Sequence, residues 1–220
     1  MPPTPRKRKE PPSPPRRPPS RLDFRAPADG AWYGARVAVQ RGALRVMYEE
    51  FPEEQDDWYD PACLASERDV AALRARFRAL SPPLDDARCR DLRAGAPLCV
   101  SCALDGGELK FYDAVLESVS PAAHETVDGE ERCPCRFAVW WTEGPRTGSR
   151  EEIGVERVCC VQSSSVQDPV LTEFFDGVTK LLGNDNGKRT ASQATGTVAE
   201  EGGAPRDAPP GFRRKYGARK

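Results

Sequence analysis

The residue types best suited to chemistry are one histidine and a group of cysteines. His124, the only histidine, is followed by the C-x-C pair Cys133 and Cys135, and Cys159 and Cys160 lie further on. In an extended segment residues i and i+2 point to the same face, so this pair aims both sulfurs at one point. One imidazole and three thiolates are the ligand set of structural zinc, and four protein ligands leave no position for metal hydrolysis. The spacing leaves Cys159 and Cys160 open as the fourth ligand.

Four other cysteines, Cys63, Cys89, Cys99 and Cys102, have no histidine nearby in the sequence. We expect them to be buried thiols, with Cys99-x-x-Cys102 as half of a second site being the alternative. The N-terminus has no apolar stretch typical of a secretory signal, so we expect the thiols to be reduced. Buried free thiols beside a surface histidine are likewise the alternative to the predicted zinc site.

A second group of residues combines aromatic rings with acids. Six of the nine residues in 49–57 are acidic, Phe51 lies among them, and Tyr48 and Trp58 flank the segment. A methylated lysine keeps its charge but loses hydrogen-bond donors, so aromatic faces attract it and carboxylates steer its peptide inward. The alternative is an aromatic core beside a solvated acidic loop.

Composition divides the 220-residue chain into an acidic body and two basic ends. Residues 1–20 contain nine prolines and six basic residues against one acid; residues 183–220 contain eight basic residues against four acids. The body, 21–182, has 19 basic and 29 acidic residues. We expect both ends to be disordered. The run Arg6-Lys7-Arg8-Lys9 resembles a nuclear import signal and predicts a nuclear protein. No apolar stretch approaches the ~20 residues of a membrane helix.

The elements that must position these residues are mainly strands. Strands are predicted at 32–39, 43–48, 56–60, 97–104, 109–119, 136–141 and 153–161, with Arg41-Gly42 as a tight turn. Helices are predicted from Glu67 to Leu80, capped by Ser66, and from Asp168-Pro169 to a stop at Gly183. Short strands at close spacing with turns between them indicate small barrels.

The body also carries five motifs in a fixed order. They are Asp29-Gly30-Ala31-Trp32-Tyr33, Glu53-Glu54-Gln55-Asp56-Asp57-Trp58, Phe111-Tyr112-Asp113-Ala114-Val115-Leu116, Cys133-Pro134-Cys135-Arg136-Phe137 and Glu151-Glu152-Ile153 through Val158-Cys159. Together these motifs resemble the plant SAWADEE domain, known from the SAWADEE homeodomain homologue proteins. The resemblance covers about residues 22–165, with no homeodomain before it.

The resemblance implies a fold and a function. The fold is mainly β with two helices: tandem Tudor-like barrels, one at about 21–90 and one with zinc at about 91–165, followed by a helix at 169–182. The function is reading a histone tail with a methylated lysine, in RNA-directed DNA methylation and gene silencing, with the silencing polymerase machinery as a further partner.

The resemblance also implies site residues. The methyl-lysine cage is Tyr33, Tyr48 and Phe51, and Asp23 and Phe111 contact the peptide. The zinc ligands are His124, Cys133, Cys135 and Cys159, with Cys159 preferred over Cys160 because it follows Val158. Gly34 stands where the family has a second acid for an unmodified lysine, so we expect recognition of that lysine to be weaker.

We predict a chromatin reader that is not an enzyme, because the sole histidine is better used as a metal ligand than as the base of a cysteine nucleophile. The alternative function is a nucleic-acid-binding or scaffolding adaptor that uses its basic ends. The two functions depend on different parts of the chain. Binding through the basic ends should fall steeply with salt and survive mutation of the cage residues.

Overall fold

The computed structural model describes residues 21–49 and 51–192, and side chains up to Gly183. The predictions for residues 1–20 and 193–220 lie outside the described residues. The chain divides into two units, Met1–Gly183 and Asn184–Lys220, and the first contains every strand named below. Within the described ranges, no helix combines the length and apolar character needed to span a membrane.

Five strands form an antiparallel sheet in the first part of the body. They are β1 (Leu22–Arg25), β2 (Trp32–Gln40), β3 (Ala43–Tyr48), β4 (Asp57–Tyr59) and β5 (Phe77–Ala79). Their order is β5–β1–β2–β3–β4. The turn between β2 and β3 is Arg41-Gly42 as predicted, and both residues have positive φ angles, 54° and 83°. This two-residue turn sets the register that pairs Ala35 with Tyr48.

Five further strands form the second part of the sheet. They are β6 (Pro97–Ala103), β7 (Leu109–Ser120), β10 (Arg136–Trp141), β11 (Arg150–Ile153) and β12 (Val158–Cys160). Their order is β12–β6–β7–β10–β11. A single pair, Trp32 with Phe111, joins β2 to β7 and makes one ten-stranded sheet. A separate hairpin consists of β8 (Glu125–Val127) and β9 (Glu130–Arg132).

Two hydrophobic clusters correspond to the two parts of the sheet. One contains residues of β1, β2 and β3 with α1 (Glu67–Arg74), β5 and α2 (Pro169–Ser192). The other is built from β6, β7, β10 and β11 and includes Leu84 and Cys89. These two residues therefore pack with the second cluster, although the predicted barrel boundary at about residue 90 assigned them to the first.

Over the described residues the structure is mainly β with two α-helices, as predicted, and four short 3₁₀ helices lie between the strands. The first helix was predicted too long: it ends at Arg74, and Phe77 is instead in β5, opposite Phe24. Phe77 is buried in either case, so its place on the apolar stripe could not separate helix from strand. The second helix continues past Gly183 to Ser192, since one glycine costs a helix only about 1 kcal/mol.

Both helix starts agree with the prediction. The Ser66 hydroxyl oxygen accepts the backbone N–H of Asp69 at 3.2 Å, and the Asp69 carboxylate accepts the Ser66 O–H at 2.7 Å. Asp168 accepts the backbone N–H groups of Val170 and Leu171 at 2.9 and 3.0 Å. These side chains satisfy N–H groups that have no partner within the helix.

Candidate functional site

Three aromatic rings converge beside the paired strands β2 and β3 in the first part of the sheet. Tyr33, Tyr48 and Phe51, here called the three-ring cluster, have centroids 5.5 Å apart for Tyr33–Tyr48 and Tyr33–Phe51, and 6.0 Å apart for Tyr48–Phe51. The ring planes meet at 83°, 84° and 73°. Three faces at nearly right angles form a corner. An apolar cation in such a corner would contact electron-rich ring surfaces from several sides.

The strand register explains this convergence. Tyr33 is on β2 and Tyr48 ends β3, and because Tyr48 is opposite Ala35 it is a diagonal neighbour of Tyr33 on the same face. Tyr33 packs against the second hydrophobic cluster and Tyr48 against the first. Phe51, which is 42% exposed, completes the corner on the solvent side. The three-ring cluster therefore lies where the two cores meet.

Two carboxylates hold the phenols of the cluster. The Tyr33 O–H donates to Asp29 Oδ2 at 2.7 Å, and the Tyr48 O–H donates to Asp57 Oδ2 at 2.7 Å. The same Asp29 oxygen accepts from Lys110 Nζ at 2.9 Å. Burial and the bond to Asp29 raise the pKa of Tyr33. Burial opposes the charge of Asp29, but the bonds from Tyr33 and Lys110 outweigh it and lower the pKa of this carboxyl.

The acidic segment beside the rings is partly neutralised within the protein. Arg45 forms ion pairs with Asp56 at 2.5 Å and with Glu53 at 3.0 Å. Its guanidinium also lies 5.3 Å from the ring centroid of Trp58. Asp57 is engaged by Tyr48, whereas Glu54 is exposed. The anionic surface around the cluster is therefore weaker than the count of acids suggests.

Glu49 brings a carboxylate to the position of Gly34. A Cβ atom added to Gly34 would lie 2.9 Å from Glu49 Oε2, and the Glu49 backbone N–H donates to the Gly34 carbonyl at 3.0 Å. Both carboxylate oxygens of Glu49 bind the Arg21 guanidinium, and Arg36 lies 3.6 Å away. The bond from Arg21 lowers the pKa of Glu49. A carboxylate is thus present where Gly34 lacks one, but it is already paired with the exposed Arg21 of the same chain.

A second cluster, here called the Cys/His cluster, consists of Cys89, His124, Cys133 and Cys135. All four ligand atoms lie within 4.8 Å of one another. His124 Nε2 is 3.2 Å from Cys89 Sγ and 3.5 Å from Cys135 Sγ, and the two sulfurs are 3.9 Å apart. Tetrahedral zinc with ordinary bond lengths requires about 3.6 Å between nitrogen and sulfur and about 3.8 Å between sulfurs. The side chains therefore fit a tetrahedral metal ion.

The electrostatics of the Cys/His cluster also suit a cation. The Ala122 backbone N–H and the His124 ring lower the pKa of Cys135. Burial raises the pKa of Cys89, and the adjacent thiols Cys133 and Cys135 raise it further. Thiolates this close repel one another, so all three ionise together only when a positive ion lies between them. The cluster can therefore carry a negative charge that a bound cation would neutralise.

The sequence matches the family model of the SAWADEE domain over residues 19–159, which is more than half of the chain. The chain belongs to the SAWADEE domain family. This membership confirms the resemblance drawn from the ordered motifs. Comparison with curated proteins finds no match.

Solved structures similar to this SAWADEE domain protein include two of the SHH1 SAWADEE domain. One is a selenium-substituted double mutant from Arabidopsis thaliana, 18% identical, with a TM-score of 0.49. The match covers 66% of this chain and 98% of the mutant's chain. The other is the domain in complex with an H3K9me3 peptide; the domain is 19% identical to this chain, with a TM-score of 0.48. The match covers 65% of this chain and 98% of that domain's chain.

In this SAWADEE domain the fourth member of the Cys/His cluster differs from the predicted ligand. Cys159 was predicted, but the structure places Cys89 with His124, Cys133 and Cys135. Cys159 lies instead on β12, opposite Cys99 of β6, and burial raises its pKa to about 11. Cys89 is in the 3₁₀ helix Asp86–Asp91, 35 residues before His124, and no local spacing connects the two. In the sequence, only its residue type indicated that Cys89 could be a metal ligand.

The structure gives Asp23 an internal role. Its side chain is only 8% exposed, and Oδ2 accepts from Ser81 N at 3.0 Å, Ser81 Oγ at 2.6 Å and Arg78 Nε at 3.1 Å. Arg78 also binds Asp113 at 2.6 Å and stacks 3.7 Å from the ring centroid of Trp32. This placement does not support Asp23 as a peptide contact: its carboxylate helps to join β1, β5 and the following segment.

Phe111 lies next to the three-ring cluster in the sheet but on another face. It is directly opposite Trp32, the residue before Tyr33. Opposed residues share a face and successive residues alternate, so Phe111 is on the face of Trp32 and not on that of Tyr33. The structure thus brings together the three predicted cage residues and three of the four predicted metal ligands, but neither predicted peptide contact joins the rings.

Proposed function

We propose that this SAWADEE domain protein is a non-enzymatic chromatin reader that binds a histone tail through a methylated lysine. The observation that carries the proposal is the three-ring cluster of Tyr33, Tyr48 and Phe51, whose planes are within 17° of perpendicular. A methylammonium group has apolar methyls and a fixed charge. Ring faces remove the methyls from water while their quadrupoles compensate the charge, an interaction of about 2 kcal/mol when desolvated.

The carboxylates behind the rings prepare this cage before the ligand arrives. Asp29 fixes Tyr33 and Asp57 fixes Tyr48, each through a 2.7 Å hydrogen bond. Rings that are already oriented lose less conformational entropy when the ligand binds, and each ordered side chain saved is worth about 0.5–1.5 kcal/mol. The mechanism is therefore capture by a preformed corner.

Charge supports the choice of a histone tail as the ligand. The body has ten more acidic than basic residues in 21–182, and Glu54 beside the cluster is exposed. A basic peptide is attracted to such a surface, whereas nucleic-acid phosphate is repelled. The peptide must bind to a surface on which Arg45 and Arg21 already form ion pairs with several of the acids.

We further propose that the Cys/His cluster holds one structural zinc ion. Three sulfurs and one imidazole form a closed set that favours zinc over harder cations such as magnesium. When bound, zinc supplies cross-linking between segments far apart in sequence, with no open position for catalysis. Cys89, Cys135 and the hairpin after His124 would be joined at one point, which stabilises a small core.

The two parts of the sheet are proposed to correspond to the two Tudor-like barrels of the family. Each has five antiparallel strands and its own hydrophobic cluster, and one residue pair joins them. The three-ring cluster at the meeting of the two cores then places the peptide beside both barrels.

The cellular setting is proposed from the family resemblance and from Arg6-Lys7-Arg8-Lys9. We propose that the protein is nuclear and acts in RNA-directed DNA methylation and gene silencing, with the silencing polymerase machinery as a partner. A fluorescent fusion of the full chain should concentrate in the nucleus. Replacement of these four basic residues by alanine should distribute the fusion throughout the cell. An unchanged nuclear concentration would show that this segment is not the import signal.

Isothermal titration of the full chain with an H3K9me3 peptide and its unmodified counterpart tests the binding function. The proposal requires tighter binding of the trimethylated peptide, and loss of this preference in Phe51→Ala. Equal affinity for the two peptides would mean that the rings do not read methylation. Binding that falls steeply with salt but ignores the ring mutation would instead favour the adaptor that uses its basic ends.

A further inference from the structure

The hairpin between His124 and Cys133 is built so that its two ends meet at the Cys/His cluster. Its register pairs Glu125 with Arg132, Thr126 with Glu131 and Val127 with Glu130. The turn residues Asp128 and Gly129 have φ angles of 53° and 86°, the two positive values that a type I′ turn requires. Continued by one pair, this register places His124 opposite Cys133. The hairpin therefore delivers two of the four candidate ligands together.

The hairpin has little stability of its own. All six strand residues are exposed, and it pairs with no strand of the ten-stranded sheet. An isolated two-stranded hairpin is at best marginally stable in water. Its order must therefore depend on its base, where His124 and Cys133 join the Cys/His cluster.

One hairpin residue reaches back to that base. Glu131 Oε1 lies 2.6 Å from His124 Nδ1, while Nε2 of the same ring faces the sulfurs of Cys89 and Cys135. The His124 side chain is 5% exposed and that of Glu131 is 42% exposed. A carboxylate that accepts the Nδ1 proton leaves the Nε2 lone pair free, which is the tautomer that a metal ion at Nε2 needs.

We propose that Glu131 is a positioning residue of the metal centre. Its carboxylate holds the His124 ring in the Nδ1–H tautomer, aims Nε2 at the ion, and links the order of the hairpin to metal binding. The inference rests on the proposed zinc site and adds a residue beyond the four ligands. Outer carboxylates of this kind typically contribute a factor of about 10–100 to metal affinity.

The test compares Glu131→Gln with Glu130→Gln in the full chain. Both substitutions remove one negative charge from β9, but of these two glutamates Glu131 is the one hydrogen-bonded to His124. Zinc affinity is measured by competition with a chromophoric chelator at fixed pH. We expect Glu131→Gln to weaken zinc binding about 10- to 100-fold and Glu130→Gln by less than about twofold.

A spectroscopic readout separates positioning from a general effect of charge. Because the chain has a single histidine, its ¹⁵N imidazole spectrum reports His124 alone. In the zinc-loaded wild type we expect a protonated Nδ1 that exchanges slowly; in Glu131→Gln this proton should exchange faster. Equal losses of affinity in the two variants, or an unchanged spectrum in Glu131→Gln, would overturn the proposal. A wild type that binds no zinc but still prefers the methylated peptide would reject the metal centre and Glu131 together and leave the reader function intact.

Discussion

Phe51→Ala is the most informative perturbation of the three-ring cluster, because it removes one wall without opening a core. The ring of Phe51 lies 5.5 Å from that of Tyr33 and 6.0 Å from that of Tyr48, yet the residue is 42% exposed. Trp58→Ala is its matched control. Trp58 flanks the same acidic segment and is 41% exposed, but it stacks with Arg45 outside the cluster.

The expected effect follows from the number of ring faces lost. One face contributes about 1–2 kcal/mol to binding a desolvated methylammonium, so Phe51→Ala should weaken binding of a trimethyl-lysine peptide about 5- to 30-fold. Binding of the unmodified peptide should change by less than about twofold, because a lysine ammonium remains hydrated. Each substitution should cost on the order of 1 kcal/mol of folding stability, since both side chains are about two-fifths exposed.

Calorimetric titration with the paired peptides gives the assay, and thermal unfolding of each variant confirms that the fold persists. We expect a selective loss of binding in Phe51→Ala and a small, unselective change in Trp58→Ala. Equal losses in the two variants would assign the binding to the acidic segment as a whole and not to the rings. Full preference for the methylated peptide in Phe51→Ala would exclude Phe51 from the cage.

Other predictions concern the phenols, the metal and acid stability. Tyr48→Phe keeps the ring but loses the bond to Asp57, so peptide affinity measured by titration should fall less than about threefold, against about tenfold or more for Tyr48→Ala. Metal analysis should find about one zinc per chain, reduced in Cys89→Ser but kept in Cys159→Ser; the reverse would restore the original ligand choice. Because the folded-state pKa of Asp29 is lowered, its contribution to stability is complete above its unfolded pKa of about 3.9 and is lost as the pH falls through the folded value. Thermal unfolding temperature between about pH 5 and pH 2 should therefore fall less steeply in Asp29→Asn than in the wild type, and parallel curves would argue against the stabilising bonds of Asp29.

Local chemistry made part of the site predictable. The turn Arg41-Gly42 determines the pairing of β2 and β3, and this pairing places Tyr33 and Tyr48 on one face. The spacing of Cys133 and Cys135 likewise brings two sulfurs together without any knowledge of the fold. In both cases a few consecutive residues contain the information.

Contacts between distant segments were not predictable in the same way. Cys89 reaches the Cys/His cluster only because the 3₁₀ helix Asp86–Asp91 packs near the hairpin base, and nothing in its neighbourhood marks it. Glu49 occupies the space beside Gly34 because β2 and β3 are paired there, so reading position 34 alone missed a carboxylate. Asp23 matched a family position, but its burial against Arg78 and Ser81 appears only when β5 pairs with β1.

Tyr33, Tyr48 and Phe51 are proposed to enclose a methylated lysine together. This enclosure can be observed through nuclear Overhauser effects between the ¹³C-labelled N-methyl groups of a trimethyl-lysine histone peptide and the aromatic protons of the protein. We expect contacts from the methyl protons to all three rings in the bound state. Methyl contacts to other side chains only, or a set of methyl contacts that Phe51→Ala leaves unchanged, would show that these rings do not form the cage.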